Sequence, residues 1–285
     1  MAMDHSVIAM NSSQVSKTEF LDIPGGRLAY DVTGPQGGPL VLCTPGMGDI
    51  RQAFRFIAPT LVEAGYRVAC LDQRGHGESS ARWAGYGSPA TGEDMLAVVR
   101  HLGGPATIIG HSSSAAAAVW AAAEEPTLVS ALVLIGPFAR QRELSPVLRL
   151  ALAAVTSRAA IWSRLYYPTM YKAPKPADFP TYVRALQANL REPGRMAATR
   201  GAMSRQAECF DRVADVRCPV RIVMGTKDPD FPDPAAEAAF AQELIGAHTE
   251  TTLAMIEGAG HYPHAELPEA TASAVLPFLA DAVHA

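Results

Sequence analysis

Three consecutive serines, Ser112-Ser113-Ser114, follow Gly110-His111 at the end of an apolar run, Ala106-Thr107-Ile108-Ile109, and precede an alanine-rich stretch from Ala115 to Ala123. The run reads as a short buried strand and the stretch as a helix, so the serines fall on a sharp strand-to-helix turn. Such a turn pushes a hydroxyl out of the sheet and sets its backbone beside a helix N-terminus, which is the setting of a serine nucleophile. Only Ser112 has glycine two residues before it, where the tight turn requires one, so Ser112 is the candidate nucleophile. The competing explanation is a serine run that caps a helix. The pattern is G-x-S-x-S, not G-x-S-x-G, so the signal needs partners elsewhere in the chain.

A serine hydroxyl is a poor nucleophile near neutral pH; it needs a base within hydrogen-bond reach and an acid to orient that base. The chain offers Asp228, after Ile222-Val223-Met224 and the turn Gly225-Thr226-Lys227, and His261, after Met255-Ile256 and the turn Glu257-Gly258-Ala259-Gly260. Asp230 competes with Asp228, but Asp228 is closer to the strand end; Asp230 and Asp233 are expected to serve the loop or cap a helix. His264 competes with His261 and is expected at a pocket rim or on the surface. Thr44-Pro45-Gly46-Met47-Gly48 follows another apolar run, and its glycines let an N–H turn toward a developing oxyanion. The expected donors are the backbone N–H groups of Met47 and Ser113. Asp49, Arg51 and Arg55 come next; they either reach the pocket or stand as exposed charges at a helix start, and the second is expected. His111 is expected to pack or bond locally beneath the turn, since its side chain diverges from that of Ser112.

Apolar runs at 20–23, 27–30, 40–43, 67–71, 106–109, 131–135, 219–224 and 251–256 alternate with helical patterns. The first two flank Pro24-Gly25-Gly26 and read as an antiparallel hairpin. The remainder predicts an α/β fold, a mostly parallel twisted sheet of about eight strands with helices on both faces. Loops at the C-terminal ends of parallel strands gather on one side, so Ser112, Asp228 and His261 can meet there. Residues 1–16 are polar and patternless and read as a loose arm. Residues 138–217 offer no good strand, and Leu148, Leu152, Val155, Tyr182, Val183, Leu186 and Leu190 fall at helical spacing, so this stretch reads as a helical insertion in a core of 17–137 and 218–285. Its aromatic residues, Trp162, Tyr166, Tyr167, Tyr171 and Tyr182, either line a pocket or pack a core.

Composition excludes several classes. The chain has 285 residues, 18% charged, with a net charge of −4, so it is not a generally basic nucleic-acid binder. The insertion holds 14 Lys+Arg against 6 Asp+Glu, a net of +8, and the remainder is −12. Opposite charge favours docking of the two parts, or an anionic substrate. The four cysteines are scattered and read as small buried thiols in a reducing compartment. No secretory leader pattern and no 18-residue apolar run are present, so a cytoplasmic protein without membrane association is expected. There is no H-E-x-x-H, no histidine–cysteine cluster and no G-x-G-x-x-G after a strand, so neither metal nor cofactor is expected. Oligomeric state is not readable.

Over residues 18–285 the chain resembles the α/β-hydrolase superfamily. Pro45-Gly46-Met47-Gly48 stands at that family's His-Gly oxyanion turn, with proline in place of the histidine. Asp72-Gln73-Arg74-Gly75-His76-Gly77-Glu78-Ser79 matches its D-x-R-G-x-G-x-S loop, Gly110-His111-Ser112 its elbow, Gly225-Thr226-Lys227-Asp228 its acid loop and Gly258-Ala259-Gly260-His261 its histidine loop. Ser114 replaces the last elbow glycine. The resemblance implies the α/β-hydrolase fold with a helical cap at 138–217, structural roles for Arg74 and His76, and a cofactor-free serine hydrolase acting on a small-molecule acyl substrate, a carboxylic ester first. A lactonase, thioesterase, C–C bond hydrolase or perhydrolase, or a slow-turnover ligand receptor, shares the same machinery. A serine at 112 argues against the family's epoxide hydrolases and haloalkane dehalogenases, which attack with an aspartate.

Overall fold

In the computed structural model, which describes residues 17–140, 145–202, 204 and 206–284, every apolar run named above becomes a strand. These are β1 (Glu19–Ile23), β2 (Gly26–Thr33), β3 (Leu40–Thr44), β4 (Arg67–Asp72), β5 (Ala106–His111), β6 (Val129–Ile135), β7 (Val220–Gly225) and β8 (Thr251–Ile256). They form one sheet in the order β1-β2-β4-β3-β5-β6-β7-β8. The β1–β2 hairpin and the β2–β4 pair are antiparallel, and the other pairs are parallel. The expected arm at 1–16 lies outside the described residues.

Helices α1 (Ile57–Glu63), α2 (Ser88–Leu102) and α3 (Ser113–Glu124) lie before β6. Between β6 and β7 come α4 (Pro146–Val155), α5 (Ala159–Ile161), α6 (Phe179–Leu190), α7 (Arg195–Ala202) and α8 (Gln206–Phe210), with no strand among the described residues. After β7 come α9 (Pro234–Gly246), α10 (Pro263–Glu266) and α11 (Pro268–His284).

The period of two along each strand splits the core into two layers. Leu40, Leu42, Ile108, Leu132, Leu134 and Ile222 pack against α2, α3 and α9. Val41, Cys43, Ile109, Val133, Ile135 and Val223 pack against α1 and α11. Parallel strands covered on both faces carry near-continuous apolar sequence, which is why these runs are legible without alternation. Ala115, Ala116, Ala117 and Ala118 are all buried; their small side chains let α3 approach the sheet and α2 closely. All four cysteines are free and buried. No helix of the described residues is long and apolar enough to cross a membrane.

The insertion has its own apolar cluster. Trp162, Tyr167, Met170, Tyr171, Phe179, Tyr182, Leu186 and Leu190 pack together with Ile50, Tyr262 and Ala265 of the core. It therefore sits on the segments that follow Met47 and His261. Two of its cations reach core groups: Arg195 Nη1 donates to the Ser79 carbonyl at 2.6 Å, and Arg212 pairs with Glu124 at 2.5 Å.

Candidate active site

Ser112 links β5 to α3 with φ 55° and ψ −120°, the one non-glycine at positive φ among the described residues. A backbone held there costs about 1–3 kcal/mol and persists only where its surroundings fix it. Here Ser112 N–H donates to the Ile135 carbonyl at 2.8 Å. Gly110 is required because a Cβ there would lie 2.4 Å from the Ser114 carbonyl oxygen. Ser114, in place of the usual elbow glycine, fits because its hydroxyl turns to the Pro45 carbonyl at 2.5 Å.

The acid and histidine loops extend the β7–β8 pair. Thr226 N–H donates to the Ile256 carbonyl at 3.1 Å and Lys227 N–H to the Ala259 carbonyl at 2.9 Å. Gly225 lies so close to the facing loop that a Cβ would meet the Gly260 carbonyl oxygen at 2.0 Å. This closeness explains the glycines in both motifs. Asp228 and His261 are thereby brought together, with Nδ1–H of His261 donating to Asp228 Oδ2 at 2.7 Å. His261 N–H donates to the Met170 carbonyl at 2.9 Å. His111, the residue before Ser112, donates from Nε2 to the His261 carbonyl at 2.9 Å, tying the elbow to the histidine loop. Among the described residues no hydrogen bond joins His261 Nε2 to Ser112 Oγ. Ser112, Asp228 and His261 are 8%, 2% and 3% exposed. Burial pulls the His261 pKa down, but Asp228 and then Asp230 outweigh it and raise it to about 9.

The Thr44–Gly48 turn lies against the elbow, since a Cβ on Gly46 would meet Ser112 Cβ at 2.9 Å. Gln73 Nε2 donates to the Gly46 carbonyl at 2.7 Å. His76 Nε2 accepts Gly48 N–H at 3.0 Å while its Nδ1 bonds the Arg74 carbonyl at 3.1 Å, and Arg74 pairs with Asp94. Gln73 and His76 thus brace the turn. Trp162 covers it from above, its indole N–H donating to the Gly48 carbonyl at 2.9 Å. Met47 N–H is occupied: it donates to Ser113 Oγ at 2.9 Å.

Several expectations are corrected. Asp49, Arg51 and Arg55 are buried, not exposed. Asp49 accepts Tyr167 OH at 3.0 Å and Tyr182 OH at closer range, and burial raises its pKa to about 6 against the pull of these hydroxyls and the Ile50 N–H. Arg51 pairs with Asp31, Asp72 and Glu78. Arg55 forks onto Asp178 of the insertion at 2.6 and 2.8 Å. Buried charges survive because they are paired, and those partners lie too far along the chain for local pattern to reveal. His264 is fully buried rather than at a rim, stacked on Phe54 at 4.7 Å, and burial lowers its pKa to about 3. Asp233 does cap α9, accepting Ala236 N–H at 3.0 Å. Asp230 does not merely shape the loop, since its Oδ2 lies 3.6 Å from His261 Nε2. Glu266 was not singled out by sequence. It accepts backbone N–H groups of Lys172, Ala173, Gly260 and Tyr262; its place five residues after His261 is the only trace the sequence carries. The side-chain ligand atoms of Asp228, Asp230 and His261 lie within 4.8 Å of one another, the one metal-compatible grouping among the described residues.

A model of the alpha/beta hydrolase family matches residues 40–274. A 2-(acetamidomethylene)succinate hydrolase from Mesorhizobium japonicum is 27% identical over 272 residues, covering 89% of this chain and 92% of the relative. A thermophilic esterase from Thermogutta terrifontis superposes with a TM-score of 0.76 at 22% identity, covering 94% and 99% of the two chains. A bromoperoxidase from Bacillus anthracis gives 0.78 at 19% identity, covering 92% and 99%. At these identities the solved structures bear on the fold alone.

Proposed function

The chain belongs to the alpha/beta hydrolase family, and from that premise we propose that it is a serine hydrolase cleaving a small carboxylic ester or related acyl substrate. Ser112 Oγ attacks the carbonyl carbon while His261 Nε2 takes its proton. Asp228, on Nδ1, fixes the tautomer and stabilises the imidazolium. The backbone N–H groups of Met47 and Ser113 hold the oxyanion. Collapse of the tetrahedral intermediate breaks the bond to the leaving group, which receives the proton from Nε2. Water then repeats the sequence on the acyl-enzyme, with His261 again the base. Each step uses groups of this chain only, and the helical insertion over the elbow, serving as a cap, sets which acyl and leaving groups fit.

The observation that carries this reading is the positive φ of Ser112 between β5 and α3. A serine that merely caps a helix takes extended backbone and needs no such strain. Labelling with a fluorophosphonate followed by peptide mapping tests it. Covalent modification at Ser112, lost in Ser112→Ala, is expected; an unlabelled wild type, or labelling that persists in Ser112→Ala, would sink the assignment.

A further inference from the structure

The Ser–His–Asp reading leaves Asp230 unused, yet Asp230 is the acidic side chain nearest the working end of the imidazole. Its N–H donates to Asp228 Oδ1 at 3.0 Å, so the loop folds back. The two carboxylates then flank one ring: Asp228 Oδ2 lies 2.7 Å from Nδ1, and Asp230 Oδ2 lies 3.6 Å from Nε2. Asp230 Oδ1 accepts the hydroxyl of Tyr166 at 2.9 Å. Tyr166 packs on Trp162 with ring centroids 4.9 Å apart, and Trp162 is the residue whose indole sits on the Gly48 carbonyl. Trp162, Tyr166 and Asp230 thus form a continuous wall from the oxyanion turn to the imidazole. Phe138 stands edge-on to His261 at 5.9 Å. The Asp230 side chain is 18% exposed where that of Asp228 is 1%, which puts Asp230 on the open side of the ring. Among the described residues its ion-pair partner is His261 alone, with no arginine or lysine on it.

Nε2 is the atom that must protonate the departing group, so the leaving atom comes within hydrogen-bond reach of it and within a few ångströms of Asp230. A carboxylate bordered by aromatic faces attracts a cation twice, through charge in a partly dry site and through the ring quadrupoles. The same carboxylate repels an anion placed there. We propose that Asp230, held by Tyr166, forms with Trp162 a subsite for a cationic leaving group, an alkylammonium alcohol in the simplest case. This rests on the serine-hydrolase reading above. It also runs against the anionic-substrate alternative for the basic insertion, because Phe138, Trp162 and Tyr166, the insertion side chains placed here beside Asp230 and His261, carry no positive charge.

The test uses a pair of alcohols of the same shape, (2-hydroxyethyl)trimethylammonium and the neutral 3,3-dimethylbutan-1-ol, and their butyrate esters. Protection of Ser112 from a fluorophosphonate by each alcohol, and kcat/KM for each ester, are measured in wild type, Asp230→Asn and Tyr166→Phe. Preferences are read as ratios within each variant, so a change in overall rate does not enter. In wild type the cationic member is expected to win by about tenfold or more in protection, and in kcat/KM where the esters turn over, the range of a desolvated cation–aromatic contact. Asp230→Asn should bring the ratio close to one, and Tyr166→Phe should lower it. A labelled Ser112 with equal protection by both alcohols, or an unchanged ratio in Asp230→Asn, overturns the subsite and leaves the hydrolase reading standing. A Ser112 that no fluorophosphonate labels overturns both.

Discussion

Ser113 is the residue on which the elbow and the oxyanion turn meet. Its backbone N–H belongs to the first turn of α3, while its hydroxyl accepts Met47 N–H at 2.9 Å. On the proposed mechanism the hydroxyl therefore occupies a donor meant for the oxyanion, and a rotation about χ1 would have to release it. Replacing Ser113 with alanine frees Met47 N–H and leaves the Ser113 N–H in place. Ester hydrolysis by Ser113→Ala should stay within about threefold of wild type in kcat/KM, whereas removal of a true oxyanion donor costs about 10²–10³-fold. Steady-state kinetics on p-nitrophenyl butyrate decide it, and a hundredfold loss would mean that the hydroxyl itself takes part. That Ser112 falls on the turn between β5 and α3 and that Asp228 meets His261 was legible because each follows an apolar run and a glycine turn, and strand order alone gathers such loops. The occupation of Met47 N–H by a side chain 66 residues away was not, since two motifs read separately do not disclose that they bond each other.

The parallel strands were legible to within a residue or two because they lie between layers of helices and are largely apolar, whereas antiparallel β2 runs three residues past the expected end, to Thr33. The helix after the elbow starts two residues earlier than the alanine pattern predicts, at Ser113, because serine is as acceptable in a first turn as alanine. What local pattern could not give is how the insertion is seated, since its anchors are buried polar groups satisfied across the fold. Glu266 is the clearest. Its Oε1 accepts Gly260 N–H at 3.0 Å and Tyr262 N–H at 3.1 Å, and its Oε2 accepts Lys172 N–H at 2.6 Å and Ala173 N–H at 2.8 Å. One carboxylate thus joins the segment before α6 to both sides of His261. Glutamine keeps the shape but turns one oxygen into an NH₂ that faces N–H donors. Glu266→Gln should lose about 2–4 kcal/mol, as expected when buried donors to a charged acceptor go unpaired. It should also lower kcat/KM through displacement of the histidine loop. Urea unfolding followed by circular dichroism checks the first effect, and an unshifted midpoint would show that this clasp is not what fixes the loop.

At the scale of the whole molecule, stability and activity should run in opposite directions above neutral pH. His261 stands near 9 when folded, burial being outweighed by Asp228 and Asp230, against an ordinary value of about 6.5. A base raised on folding stabilises fully below its unfolded pKa, and that contribution is lost as pH climbs through about 9. His76 and His264 act in the other sense. Burial lowers them to about 4 and about 3, so their contribution is present above about pH 6.5 and is lost as pH falls. Burial also raises Asp49 and Asp94 to about 6, and their contribution, present below the ordinary carboxylate value, is lost as pH rises through about 6, opposing the histidines there. Between about pH 6.5 and 9 the His261 contribution is progressively lost, and Tm should fall across that window. On the proposed mechanism hydrolysis needs the neutral imidazole, so kcat/KM, which reports the free enzyme, should rise about tenfold per pH unit over the same range and level off near 9. Asp230→Asn removes one of the two carboxylates that raise His261. It should shift the kcat/KM limb to lower pH and shrink the alkaline fall in Tm, both at once. Paired pH–rate and pH–Tm profiles on the two proteins are the measurement. A wild-type kcat/KM that is flat from pH 6.5 to 9, or a limb that Asp230→Asn leaves in place, would show that Asp230 does not govern the charge of this histidine.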